Sequence, residues 1–410
     1  MEYPKLRPIE VSHDASGKKG FILRDPSNLT DMILTVPYNV FEIMGLFDGK
    51  HSILDIQTAY ARRYGTILSR EQIEGLISKL DEGMLLESER FQQFLNGLKD
   101  EFGRSDLRKA AFAGKGYEGD PVKLGQQLDS FFTSDGGPGR PPGGARPAER
   151  PKDPVKGAVL PHIDFIRGGP CFAWGYQEIE ESSDARCFIV LGTSHGETEG
   201  LFTLTKKDFE TPFGVLRTNR EIVAAIEKDG GEKLFQGEFA HKAEHSIEFQ
   251  AVFLNYLYDG RKDISIVPVL CSSFHKMIND GTSPSSVQEV GDFIETLQSA
   301  IKESGREVFL LASADLSHVG PRFGDPLPLT KHNLQEIAQE DLDMIRLIED
   351  MDAEGFFLSI QKDGDRRKIC GLAPIYLLLK LIDTSRGKLL KYDQWPDPMG
   401  MVSFASICFY

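Results

Sequence analysis

The sequence lacks several features that would place it in a well-defined class. No run reaches the ~18 apolar residues of a transmembrane helix, and the first residues, MEYPKLRPIEVSHD, contain no apolar segment typical of a secretory signal. The five cysteines include no CxxC pair, which argues against a disulfide framework and against a zinc ribbon. Basic residues are few, 47 against 62 acidic residues, so binding to nucleic acid or to an anionic membrane is not expected. We therefore expect a cytoplasmic protein.

The length of 410 residues is enough for two or three domains at roughly 150 residues each. Two segments have the composition of separators, namely 101–105 and the longer Gly/Pro-rich run TSDGGPGRPPGGARPAERPKD at 133–153. Glycine and proline without apolar periodicity are typical of an exposed loop. The sequence therefore predicts a small unit over 1–100 and a larger one over 106–410, with 133–153 as a flexible loop of the latter.

The small unit has short apolar strands near 21–23 and 33–36, followed by three segments with helical apolar spacing. These segments begin after Pro37, Ser52 and Ser69, and the two serines are suitable helix N-caps. The run GMLLESER then predicts a strand. The order of strands, three helices and a strand predicts a winged-helix-like α+β domain.

The larger unit repeats one pattern, a short apolar strand that ends in polar residues. The runs are KGAVLPHID, CFIVLGTSHGE, ISIVPVLCSS and VFLLASADLSHVG. Apolar runs without alternation fit strands that are buried on both faces of a parallel sheet, and helical segments lie between them. We predict an α/β fold with a largely parallel sheet flanked by helices, to which the tail MVSFASICFY adds a strand.

Two histidines, His162 and His195, follow two of these strands directly. In open α/β sheets, ligands collect beyond the carboxyl ends of the strands, and imidazole is the commonest metal-binding side chain. The pair therefore indicates a metal site. The alternative is that each histidine is a satisfied structural residue.

Further candidates are Asp315, His318, Cys370 and His245. Asp315 and His318 fit a general base, or a pair that tunes a metal, and equally a capped loop. Cys370 opens an apolar helical run, so the helix dipole predicts a lowered thiol pKa and a ligand or redox role; the alternative is a small buried residue. His245 lies within HKAEHSIEFQ beside Glu244, where orienting the strand-end groups is favoured over binding metal directly.

Several motifs in one order resemble those of the Memo family, whose bacterial and archaeal members are called AmmeMemoRadiSam system protein B. They are RKAAFAGKGYEGDP, LPHIDFIRGG, VLGTSHG, TPFGVLRTN, EHSIEFQ, SADLSHVG and ICGLAPIYLLL. The resemblance implies a fold like that of LigB-type (class III) extradiol dioxygenases, which use non-haem iron. It also implies a radical SAM protein and an AMMECR-like protein as partners, and a peptide or protein as substrate.

By this resemblance, His162, His195 and Cys370 are the metal ligands, His318 is the acid–base histidine, Asp315 accompanies it, and His245 lies nearby. Cysteine stands where the dioxygenases have a carboxylate. That softer ligand set favours iron or copper, with zinc as an alternative.

The small unit is similar to PqqD-like peptide-recognition domains in the runs LFDGKHSILDI and LDEGMLLE. This likeness implies that a peptide is held along a strand edge. A structural or dimerisation module is the alternative.

Three functions therefore remain open: a metal-dependent oxidoreductase of the Memo type, a true extradiol dioxygenase, and a non-enzymatic peptide-binding adaptor.

Overall fold

The computed structural model describes nearly the whole chain, namely residues 1–13, 20–26, 29–30, 32–140, 142–143, 153–196, 198–258, 260–326 and 329–410. About half of the predicted Gly/Pro-rich loop, namely 141 and 144–152, lies outside the described residues. The chain divides into two compact units, Met1–Arg104 and Ser105–Tyr410. Among the described residues, no helix is both long enough and apolar enough to cross a bilayer.

The N-terminal unit combines a three-stranded antiparallel sheet with four helices. Its elements are β1 (Glu10–His13), β2 (Gly20–Arg24), β3 (Leu34–Pro37), α1 (Tyr38–Met44), α2 (Ile53–Tyr64), α3 (Arg70–Glu82) and α4 (Glu89–Arg104), with the strands in the order β1-β2-β3. Both predicted N-caps are confirmed, because Ser52 and Ser69 each form a capping box with the residue three positions on. The apolar faces of these elements meet in one buried cluster around Ile56 and Leu80.

The predicted strand at GMLLESER is wrong. Leu86 forms only an isolated bridge to Leu6. Met84 has a positive φ of 59°, which breaks an extended run at its start, and Ser88 caps the first turn of α4 by accepting from the Phe91 N–H at 3.1 Å. The short stretch between these two points therefore pairs only through that one bridge.

The C-terminal unit contains nine α-helices among its described residues. They are α5 (Pro121–Thr133), α6 (Phe165–Ser182), α7 (Arg220–Gly230), α8 (His245–Tyr258), α9 (His275–Asp280), α10 (Gln288–Ser304), α11 (Lys331–Glu349), α12 (Ala353–Gln361) and α13 (Leu372–Leu381).

Its strands form one large sheet. They are β4 (Leu107–Arg108), β5 (Gly157–Leu160), β6 (Cys187–Thr193), β7 (Phe202–Leu204), β8 (Asp208–Thr211), β9 (Gly214–Thr218), β10 (Ser265–Cys271), β11 (Val308–Ser313), β12 (Asp315–Val319), β13 (Gly387–Asp397) and β14 (Gly400–Phe409). The order is β12-β14-β5-β11-β6-β10-β9-β8-β4, with β13 on β14 and β7 on β10.

The predicted fold class is confirmed in the centre of this sheet, where β5, β11, β6, β10 and β9 pair in parallel. Antiparallel pairs extend it on both sides, and the tail forms β14 as predicted. Two apolar clusters cover its faces, one with residues of α7 and α10 to α13, the other with residues of α5, α6 and α8. Because β11 lies between β5 and β6, the residues that follow these three strands meet at one edge.

Candidate metal centre

His162 stands two residues beyond the end of β5 and is almost fully buried. Its backbone N–H donates to Asp315 Oδ1 at 2.9 Å, and its Nδ1 lies 3.0 Å from the Ser313 carbonyl oxygen at the end of β11. Since a carbonyl can only accept, Nδ1 carries the proton and donates, which leaves the Nε2 lone pair free. Burial, followed by the charge of His195, lowers the pKa of His162 to about 3, so the ring stays neutral.

His195 stands two residues beyond the end of β6 and is held by one carboxylate. Its backbone N–H donates to Glu244 Oε2 at 2.8 Å, and its Nδ1 lies 3.0 Å from Glu244 Oε1. Partial burial opposes protonation of the ring, but the charge and hydrogen bond of Glu244 raise the pKa of His195 above its ordinary value. Here too Nε2 is left free, and a carboxylate behind a histidine is the usual support of a metal ligand.

His245 is the first residue of α8, and its ring completes the group. It stacks on the ring of His195 with centroids 4.7 Å apart, and its centroid lies 5.3 Å from that of His162. Its Nδ1 is 3.3 Å from Glu244 Oε1. Burial lowers its pKa well below the ordinary value, so this ring also offers a lone pair.

These three histidines form the only group of its kind among the described residues. One ligand atom from each lies within 4.8 Å of the other two, so together His162, His195 and His245 can hold a metal ion. The donor chemistry fits this role, because the Nδ1 partners of His162 and His195 leave the Nε2 atom of each neutral ring able to bind a metal, and the Nε2 of His162 already faces Cys370 Sγ at 3.2 Å. The fold can therefore form a metal site from these three residues. One of them, His245, is the histidine for which the sequence favoured an orienting role.

Cys370 lies beside this group rather than inside it. Its Sγ is 3.2 Å from His162 Nε2 and 3.6 Å from the Asp315 carbonyl oxygen. Its own carbonyl accepts from Thr193 Oγ1 at 3.3 Å, which ties it to the end of β6. The structure thus brings the thiol and His162 together.

The predicted lowering of the Cys370 pKa is wrong. Helix α13 starts only at Leu372, so the thiol lies ahead of the helix and not in its first turn. Burial and then the negative charge of Asp315 raise the pKa of the thiol well above its ordinary value. Desolvation therefore outweighs the helix dipole at this position.

A β-bulge sets the directions of Asp315 and His318. Asp315 pairs with Phe404 and His318 with Val402, so three residues of β12 span two of β14. Since Phe404 and Val402 share one face of β14, the bulge returns Asp315 and His318 to a common face as well. Burial raises the pKa of Asp315 and lowers that of His318.

The carboxylate of Asp315 makes a hydrogen bond to His162, while its charge acts on His318. Its Oδ1 accepts from the His162 backbone, and its Oδ2 is 3.7 Å from His162 Nε2. His318 Nδ1 instead lies 3.1 Å from the Leu316 carbonyl oxygen, and its ring contacts Phe323.

Sequence reasoning missed a buried ion pair beneath the site. Arg108 is fully buried, pairs with Glu248 of α8, and donates to the carbonyl oxygens of His241 at 2.9 Å and Glu244 at 2.8 Å. It therefore fixes the backbone that carries Glu244 and His245. The signal in the sequence was Glu248 itself, because an acid within an otherwise apolar helix requires a buried partner.

A cavity of about 770 Å³ lies elsewhere in the C-terminal unit. It is lined by residues such as Phe202, Lys233, Glu289 and Phe293. None of the candidate site residues lines this cavity, so it is not part of the candidate metal centre.

Comparisons with a family model and with individual proteins point to the same family. The family described as Memo-like protein matches residues 108–407. A MEMO1 family protein of Aquifex aeolicus is 27% identical over 412 residues, covering 99% of this chain and 100% of the relative, so that alignment includes the N-terminal unit. A MEMO1 family protein of Methanothermobacter thermautotrophicus is 28% identical over 299 residues, covering 72% of this chain and 95% of the relative.

Proposed function

The chain belongs to the Memo-like family, and on this premise we propose that it is a metal-binding protein with a redox-related function. The observation that carries the proposal is the meeting of His162, His195 and His245 at the carboxyl edge of β5 and β6, with ligand atoms within 4.8 Å of one another. Three neutral or carboxylate-supported imidazoles at one point have few purely structural uses, and His195 and His245 remain accessible to a ligand.

We propose that His162, His195 and Cys370 bind the ion, with His245 beside them as the competing third ligand. Two ligands of one tetrahedral ion, at about 2.0–2.1 Å for nitrogen and 2.3 Å for sulfur, lie roughly 3.5 Å apart. The 3.2 Å between Cys370 Sγ and His162 Nε2 is close to that separation. A bound cation would also favour the thiolate, since a coordinating thiol is deprotonated.

The ligand set favours iron or copper, with zinc as the alternative, because a thiolate is softer than a carboxylate. Iron or copper would supply one-electron chemistry as well as Lewis acidity, whereas zinc would supply Lewis acidity only. The residues of the chain would hold it, keep His195 oriented through Glu244, and exclude water around His162, which is 1% exposed.

The partners follow from the family. We propose a cytoplasmic protein that acts with a radical SAM protein and an AMMECR-like protein on a peptide or protein, with the N-terminal unit as a PqqD-like docking domain. In support, β1 and β3 each pair only with β2 among the described residues, which leaves sheet edges to which a peptide strand can add.

A second candidate is extradiol ring cleavage, and the bulge that places Asp315 and His318 on one face favours it. Oxygen uptake by the Fe(II)-loaded protein with a panel of catechols tests this candidate. Turnover that His318→Ala abolishes would support ring cleavage, and no uptake with any catechol would exclude it for those compounds.

The main proposal is tested by elemental analysis of the purified protein and of His195→Ala, Cys370→Ser and His245→Ala. We expect about one ion per chain in the parent protein and a marked loss in His195→Ala and Cys370→Ser. The matched control is His332→Ala, because His332 is exposed on α11 and pairs only with Glu336. Equal metal content in all five proteins would refute the proposal and leave the peptide-binding adaptor. Loss of metal in His245→Ala but not in Cys370→Ser would identify His245, rather than Cys370, as the third ligand.

A further inference from the structure

A second cavity, of about 400 Å³, opens near the metal centre. It is lined by Ile166, Arg167 and Pro170 of α6, by Trp395 and Pro396 of β13, and by Phe404 of β14, among others. Small-molecule pockets occupy roughly 300–1,000 Å³, with an apolar lining and a few polar groups that orient the ligand. In size and lining the cavity fits one small organic molecule or one side chain.

The elements that line this cavity also build the metal centre. Helix α6 begins at Phe165, three residues after His162. Phe404 is the strand partner of Asp315, whose Oδ1 accepts from the His162 backbone. The cavity and the candidate metal centre are therefore built in part from the same elements.

Arg167 is held on one side only. Its Nε donates to Asp164 Oδ2 at 2.6 Å, and Asp164 in turn caps the first turn of α6. Within the part of the chain that the structure describes, neither Nη atom has a hydrogen-bond partner, although the side chain is only 29% exposed. A guanidinium fixed through Nε presents its two Nη groups in a fork that matches a carboxylate.

Two of the other walls are apolar and accessible, while Asp393 and Gln394 add polar groups to the lining. Trp395 is 41% exposed and Ile166 is 69% exposed, an unusual degree for such side chains around a concavity. Asp393, the acid of the lining, is engaged by Lys391 Nζ at 3.7 Å and by the Gln394 N–H at 2.9 Å. The positive charge of Arg167 therefore lacks a counterion at the mouth of the cavity beyond Asp164.

We propose that this cavity binds a small organic carboxylate with an apolar body, whose carboxylate pairs with Arg167 and whose body packs on Trp395 and Ile166. This assignment names the substrate class of the proposed metal centre and rests on that proposal for its connection to chemistry. The cavity itself does not depend on the ion.

The test uses phenylacetate and its neutral isostere phenylacetamide, which share shape and apolar area but differ in charge. Binding is followed on the full-length protein by tryptophan fluorescence, because only Trp174 and Trp395 are present in the chain; Trp395→Phe should abolish the signal. We expect phenylacetate to bind at least about tenfold more tightly than phenylacetamide, a ratio that corresponds to about 1.4 kcal/mol.

Arg167→Gln should reduce that ratio to about one, and Arg167→Lys should retain part of it. The matched control is Arg346→Gln on exposed α11, where Arg346 pairs with Asp343, and it should leave the ratio unchanged. Equal binding of the two probes to the parent protein, or a ratio that survives Arg167→Gln in a protein with unchanged circular dichroism, would overturn the inference.

The titration is run on both metal-stripped and metal-loaded protein. A charge-dependent ratio in a protein that binds no metal would leave the cavity assigned and refute the metal centre. Metal binding without discrimination between the two probes would support the metal centre and refute the assignment of the cavity.

Discussion

At the residue scale, the candidate centre depends on which nitrogen of each imidazole is free. Ser313 and Glu244 occupy the Nδ1 atoms of His162 and His195, and this leaves both Nε2 atoms for a ligand. Glu244 has the larger influence, because it also lies near His245. Although burial would raise its pKa, the charge and hydrogen bonds of His195 hold the pKa of Glu244 well below its ordinary value, so it remains a carboxylate.

Glu244→Gln should weaken metal binding by about 10–100-fold, the usual effect of removing a group that orients a ligand. The amide keeps the shape of the side chain and removes the charge that supports His195. Competition titration against a chromogenic chelator measures the affinity. Glu336→Gln, which removes the carboxylate beside exposed His332, is the control. Unchanged affinity in Glu244→Gln would show that the carboxylate does not serve the centre.

At the element scale, the site is a product of strand order and of one buried ion pair. The ends of β5, β11 and β6 lie side by side, while Arg108 joins the short strand β4 to the start of α8. Glu248 also accepts from the backbone N–H groups of Ala111 and Phe112 and from Tyr117. One carboxylate therefore anchors the segment that follows β4 against the helix that carries His245.

Arg108→Met should lower the free energy of unfolding of the C-terminal unit by about 3–5 kcal/mol, because it leaves the Glu248 carboxylate buried without its cation. The double variant Arg108→Met, Glu248→Gln should recover part of the loss, since a buried amide costs less than a buried charge. Urea unfolding measures both changes. Arg306→Met, which removes an exposed pair with Glu221, should have little effect. A similarly small effect of Arg108→Met would contradict the anchoring role.

The same scale shows how far the sequence could predict the site. Apolar runs that end in His162 and His195 located two strand ends, because burial on both faces leaves a clear pattern. The bulge between Asp315 and His318 left no such pattern, since it depends on pairing with β14, which lies almost ninety residues away in the sequence. The pKa of Cys370 was mispredicted for a related reason, because burial beside Asp315 is a tertiary effect and the helix dipole is a local one.

The stacking of His245 on His195 could not be predicted on similar grounds. The sequence placed His245 at a helix start beside Glu244, where an orienting role was the simpler interpretation. Only the packing of α8 against the end of β6 brings its ring onto that of His195. Secondary-structure propensity and apolar periodicity therefore identified the helices and strands. The packing of these elements against one another decides which side chains meet.

At the scale of the whole molecule, all candidate ligands lie in one compact unit. His162, His195, His245 and Cys370 belong to Ser105–Tyr410, as does the Arg167 cavity. The relative of Aquifex aeolicus aligns with both units. The relative of Methanothermobacter thermautotrophicus aligns over 95% of its own length but over only 72% of this chain. The proposed function assigns the chemistry to the larger unit and docking to the smaller one.

A chain that begins at Ser105 should therefore bind the same number of metal ions as the full-length protein. Its affinity for a peptide substrate should fall, because the strand edges of β1 and β3 are removed. Elemental analysis and a peptide pull-down measure the two properties separately. If a folded 105–410 chain bound no metal, the ligand set would have to include residues of the N-terminal unit.

The most direct test of the metal centre is a crystal structure of the metal-loaded protein with anomalous data collected at the absorption edge of the bound metal. We predict one anomalous peak at about 2.0–2.3 Å from His162 Nε2, His195 Nε2 and the Cys370 sulfur. A peak bound by His162, His195 and His245 would replace Cys370 as the third ligand. A peak away from His162 and His195, or a loaded protein with no peak between these side chains, would contradict the account.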